Sequence, residues 1–169
     1  GSADASGAYM MAVGAVSGSR LDVTGQNGNA AGGDGGWAEF DGAGTGTLDL
    51  SASFHIKAGD GGNNGGNGGD ALVYDLKNFT FTGSSEMVSG VDAGTGLGGV
   101  AELSVLDTIT ALNTAQINLT KNDGDLILSA DRLLISADPA YTTNSSLFTL
   151  NKQGGTGDLT GSIDINTLE

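Results

Sequence analysis

The chain has 169 residues, enough for one domain with a thin core, and it carries 20 acidic against 6 basic side chains for a net charge of −14. That charge repels nucleic-acid phosphate and anionic lipid headgroups, and no apolar run approaches the roughly 18 residues of a membrane span. Cysteine is absent, which removes disulfides, thiolate metal sites and a cysteine nucleophile together.

Ala8 to Val16 is short and broken by glycine, and Tyr9 to Val16 reads as the second half of an incomplete coil. From Leu21 onward, three short strands with period-two alternation recur about every thirty residues. The first strand of each unit carries Leu21/Val23, Phe54/Ile56, Val88, Ile117/Leu119 and Phe148/Leu150. The second carries Ala38/Phe40, Ala71/Val73, Ala101/Leu103, Leu126/Leu128 and Leu159. The third carries Leu48/Leu50, Phe79/Phe81, Ile109, Leu133/Ile135 and Ile163/Ile165. With Val23, Ile56, Val88, Leu119 and Leu150 as markers, the steps are 33, 32, 31 and 31 residues. Glu86 stands where an inward apolar residue is expected, and Pro139 with Tyr141 to Ser146 lengthens one connection. A unit repeated at fixed period buries its apolar face only by stacking on its neighbours. The pattern therefore predicts an all-β parallel β-helix of about five coils over residues 21–167, with three short strands per coil. An antiparallel sandwich is the rival architecture, but a sandwich needs no constant three-strand register.

Glycine supplies 31 residues and proline one. The loops from first to second strand end in Gly35-Gly36, Gly68-Gly69, Gly98-Gly99, Gly124-Asp125 and Gly157-Asp158. Three of them, Thr24–Gly36, Lys57–Gly69 and Ser89–Gly99, should leave one corner as a ridge. They are either solvated turns or an ordered layer of extended glycine segments whose backbones approach closely. Trp37, where the first loop rejoins the wall, and Tyr74 are the candidate glycan contacts, because a flat apolar ring suits the C–H face of a sugar.

The stretch Gly65 to Val73 fits a calcium-binding nonapeptide once, and hard cations take six to eight oxygens. Asp60 and Asp70 lead that candidate set, followed by Asp34 and Asn67, with calcium as the implied ion. Otherwise the acids serve solubility. The outward columns read Asp22, His55, Met87, Asn118 and Thr149 on strand one, Glu39, Leu72, Glu102 and Ile127 on strand two, and Asp49, Thr80, Thr110, Leu134 and Asp164 on strand three. His55 should stand beside Asp22. No carboxylate pair is forced across a cleft, basic residues are sparse, and Lys57, Lys121 and Lys152 form at most a loose column. The chain reads as non-enzymatic.

The run from Gly124-Asp125-Leu126 to Leu133-Leu134-Ile135, and Gly157-Asp158-Leu159 to Ile163-Asp164-Ile165, resemble the repeat units of filamentous-haemagglutinin-like exoproteins of two-partner secretion and of autotransporter passengers. The units ending Gly-Gly-Asp70-Ala71 resemble those of giant glycine-rich exoproteins of Gram-negative bacteria. The resemblance implies a right-handed β-helix, secretion to the bacterial cell surface, and attachment or biofilm formation, with a polysaccharide or a host or abiotic surface as partner. The paired Asn-Pro motifs of that family's secretion domain are missing. No signal peptide is visible, and residues 1–20 read as a partial coil opening on a cloning scar, with 168–169 a second scar, so a segment of a larger exoprotein is expected. The alternatives are a calcium-stabilised repeat module and a purely structural spacer.

Overall fold

The structure, a computed structural model, describes residues 4–29, 31–92, 95–112, 116–121, 124–136, 147–152 and 161–168. Parallel strands stack into a β-solenoid of about four turns, as the alternation and period require. The strands are β1 (Ala8–Met11), β2 (Ala15–Thr24), β3 (Ala38–Lys57), β4 (Ala71–Phe81), β5 (Ser84–Val88), β6 (Ala101–Leu112), β7 (Gln116–Lys121), β8 (Leu126–Ser136), β9 (Leu147–Lys152) and β10 (Gly161–Leu168). One wall runs β10-β8-β6-β4-β3 and the other β3-β5-β7-β9, with β1 and β2 closing the leading edge on β3. Every pairing among them is parallel, which removes the sandwich.

The expected three separate strands per coil are partly fused. β3 runs for 20 residues and includes the second and third strands of one coil and the first of the next. Its corners are irregularities within a continuous ladder, with register shifts between Asp41 and Gly46 and, where Leu50 to Ser53 face β2, between Gly18 and Arg20 of that strand. At the first corner Ala43 and Gly44 take φ of 50° and 74°, and the Asp41 Oδ1 accepts the Ala43 N–H at 2.6 Å. A bulge of this kind bends a strand without ending its pairing.

The core is a set of stacked columns. Ala38, Ala71 and Ala101 stack in register with Leu126, Phe40 with Val73, Leu103 and Leu128, and Leu48 with Phe79, Ile109 and Leu133. Phe54, Phe79 and Phe81 are fully buried and meet at ring-centroid distances of 4.8 to 5.7 Å. The edge-on pairs Phe54–Phe79 and Phe54–Phe81 have the geometry aromatic quadrupoles favour.

Two register assignments need correction. Ile56 pairs with Met87, not Val88, and Met87 with Leu119, so Met87 is a core residue rather than an outward one. Glu86 lies outward beside His55 and is no lapse. The inward position that hides the pattern is Ser85, a buried hydroxyl whose Oγ accepts the Phe54 N–H at 3.1 Å. The other error is in the last coil. Ile163 and Ile165 pair with Leu128 and Ala130 and so belong to the second strand, and it is Leu168 that pairs with Leu133 of the third. Asp164 accordingly stands beside Ser129, not Leu134. Pro139, Tyr141 to Ser146, Gly157, Asp158 and Leu159 lie outside the described residues. Tyr9 to Val16 do form the preceding half-coil, on Glu39 to Asp41 and on Thr47 and Leu48. His55 stands beside Asp22 as expected, although the Asp22 carboxylate bridges Arg20 at 2.6 Å.

Candidate functional site

The three glycine loops fold as an ordered layer. Each sends an outgoing limb from the first strand and a returning limb to the second, and on five of these six limbs glycines recur every third residue. They are Gly25 and Gly28, Gly33 and Gly36, Gly59 and Gly62, Gly66 and Gly69, and Gly96 and Gly99. A three-residue repeat is that of an extended polyproline-II-type chain, whose backbone groups all point outward for neighbours to use. Limbs alternate across the layer through one hydrogen-bond relay. Gly36 N–H donates to Gln26 O, Gly59 to Gly36, Gly69 to Gly59, Gly90 to Gly69 and Gly99 to Gly90, at 2.8 to 3.1 Å. The limbs lie so close that a Cβ at Gly62 would overlap the Asn29 carbonyl, and one at Gly59 the Gln26 carbonyl.

This packing turns carbonyls sideways and takes them from the coil-to-coil ladder. Aspartate and asparagine side chains replace them. Asn67 donates its N–H to Asp34 Oδ1 at 2.8 Å and accepts the Gly35 N–H at its carbonyl, also at 2.8 Å. The Gly33 carbonyl, which a regular parallel bridge would use there, accepts Gly62 N–H instead. The same two-point bracket recurs from Asp4 to Asp34, Asn27 to Asp60, Asp60 to Val91, Asn67 to Leu97 and Asp70 to Val100, with side-chain bonds of 2.8 to 3.2 Å. The candidate metal residues Asp34, Asp60, Asp70 and Asn67 therefore each spend one oxygen on the backbone of the next coil. Among the described residues no three His, Cys, Asp or Glu side chains gather as a metal ligand set.

Trp37 is 46% exposed although it anchors the returning limb. Its indole lies flat on the backbone of Gly7, one coil earlier, where any Cβ would overlap the ring. Beside it opens a groove of about 260 Å3 lined by Asp4, Asp34, Asn67 and Asp70 together with Ala5 and three glycines. The structure thus brings together Trp37, Asp34, Asn67 and Asp70, and leaves Asp60 on an outgoing limb and Tyr74 further along the wall.

Tyr74 and Tyr9 flank β3 on its outer face. The Tyr9 hydroxyl donates to Asp41 Oδ2 at 2.9 Å, and the Tyr74 hydroxyl donates to Glu39 Oε1. Those bonds to carboxylates, with some burial and the surrounding negative charge, push both phenols above the ordinary tyrosine range. On the same face, burial raises the Glu102 carboxyl, helped by Asp75 and Asp70.

Asp4 and Gly7 were not singled out in the sequence. Their signal was available, since Asp4 lies 30 residues before Asp34 and Gly7 lies 30 before Trp37. Four of the brackets are written as Asx-Gly dipeptides about one coil apart, Asn27-Gly28 with Asp60-Gly61 and Asp34-Gly35 with Asn67-Gly68, and those of Asp4 and Asp70 as Asp-Ala. Comparison with protein families, with curated proteins and with solved structures gives no match in any of the three.

Proposed function

We propose that this chain is a non-catalytic segment of a secreted bacterial surface adhesin or biofilm matrix protein, a stiff rod that meets glycans or surfaces through its glycine-loop corner. The observation that carries the reading is Trp37. An indole held flat by one face on Gly7 and left 46% exposed beside a groove is an ordered stacking platform for a sugar ring. Ordering before binding avoids the entropic cost of fixing a side chain on contact. The solenoid supplies the rod, because each coil is hydrogen-bonded to the next through both strands and loops.

A glycan-binding screen of the wild type beside Trp37→Ala tests this. Binding that falls at least about tenfold in the variant supports the site. Binding unchanged by the substitution moves the contact elsewhere. A second reading, a structural spacer whose loops bind nothing, is favoured by the self-satisfied hydrogen bonding of the glycine layer, and a silent screen would select it.

A further inference from the structure

We propose that the Trp37 groove takes an amino sugar, a hexosamine unit whose protonated amine sits among the carboxylates of Asp4, Asp34 and Asp70 while its ring stacks on the indole. The inference rests on the glycan reading above and adds the chemistry of the ligand. The acidic residues by themselves would fix only a sign. The flat indole, fixed by Gly7, and the recess beside it fix a place and a shape.

Size comes first. A groove of about 260 Å3 lies just below the roughly 300–1,000 Å3 of drug-sized sites, so it suits one ring rather than a large ligand. Charge comes second. The lining has three aspartates and no lysine, arginine or histidine. The outer face beyond it continues with Glu39 and Asp41 on β3 and with Glu102 on β6, which shares the Glu39 column through Leu72 of β4. A uronic or sialic acid would be repelled. A neutral sugar would donate hydroxyls to the carboxylates but leave their three charges uncompensated.

Hydrogen-bonding capacity comes third. Asp4, Asp34 and Asp70 each give Oδ1 to a backbone N–H of the next coil. A carboxylate has two oxygens and about four acceptor sites, so the bracket holds the side chain in place and leaves its second oxygen for a ligand. An ammonium group carries three donors and no acceptor, which matches the three carboxylates of the lining, and its bonds to carboxylate are of the strong charge-assisted kind.

Trp37 is the chain's one tryptophan, so its emission reports on the groove directly. The wild type is titrated with a fully deacetylated β-1,4-glucosamine hexamer, with its N-acetylated counterpart and with a galacturonate oligomer. The proposal expects a saturable emission change with the deacetylated oligomer alone, weakened about tenfold or more between 50 and 500 mM salt. Asp34→Asn with Asp70→Asn keeps the Oδ1 acceptors of both brackets and removes two charges. It should retain the wild-type melt and weaken glucosamine binding about tenfold or more. Equal binding of the acetylated oligomer, or binding untouched by the Asn pair, overturns the amino-sugar assignment and leaves the sugar platform standing. No binding of any of the three by emission or calorimetry also overturns it, and the broader screen with Trp37→Ala then decides the glycan reading separately.

Discussion

Asn67 is held by Asp34 at two points, its N–H on the Asp34 carboxylate and its carbonyl on the N–H that follows Asp34. The side chain does the work of the Gly33 carbonyl, which faces the neighbouring limb. Asparagine offers the same Oδ1, so Asp34→Asn should melt within about 0.5 kcal/mol of wild type. Asp34→Ala leaves the Asn67 N–H without its acceptor and should cost about 1 kcal/mol, read as a lower midpoint in denaturant at unchanged slope.

The glycines divide by what surrounds them. A methyl group at Gly62 would run into the Asn29 carbonyl, and one at Gly69 into the Gly36 carbonyl, both backbone atoms that cannot swing aside. Alanine at either position should destabilise by more than about 3 kcal/mol or abolish folding, since the limbs must separate to admit it. Gly18 meets nothing within 4 Å. Gly18→Ala should be neutral or stabilise by about 0.4–1 kcal/mol through the unfolded chain. Equal effects at Gly62 and Gly18 in parallel thermal melts would contradict the close-packed layer.

The pH dependence has a definite sign at Glu102. Its folded carboxyl titrates above the ordinary value, chiefly through burial, so the folded state holds that proton longer than the unfolded state. Through this window stability falls as pH rises, and above it the loss is constant. Glu102→Gln should therefore raise stability at pH 7 by about 0.5 kcal/mol. The gain should vanish below the unfolded carboxyl value of about 4.3. Denaturant midpoints at the two pH values check both halves.

How much of this was legible beforehand follows from what each signal encodes. Alternation and period gave the parallel solenoid because every core column must be apolar in every coil. The register failed at Ser85, where a buried hydroxyl satisfied by the Phe54 N–H breaks the apolar pattern, and the frame slipped one residue onto Val88. It failed again at Ile163, since two adjacent strands share one alternation and only pairing separates them. The loops were readable as a ridge, but composition cannot tell a solvated glycine turn from a packed one. That distinction rests on which carbonyl each N–H reaches. Trp37 was readable as a corner residue, whereas its seat on Gly7 needs the stacking of coils.

Calcium separates the structural reading of the acids from the ionic one. One side-chain oxygen of each of Asp34, Asp60, Asp70 and Asn67 already bonds a backbone N–H of the next coil, so the layer should hold together without metal. Excess EDTA should shift the thermal midpoint by less than about 1 °C. An ion bound at a hundredfold excess over its Kd would instead contribute about 2.7 kcal/mol, several degrees for a domain of this size.

The central claim is that the glycine loops are bonded structure, and amide hydrogen exchange tests it most directly. The N–H groups of Gly59, Asn67, Gly69, Gly90 and Leu97 each have a named acceptor in a neighbouring limb or coil. Their exchange should be slowed at least about 100-fold relative to an unstructured peptide, alongside the amides of β3 and β4. Exchange at unstructured rates in these five, with β3 and β4 still protected, would mean solvated loops on a solenoid and would contradict the account.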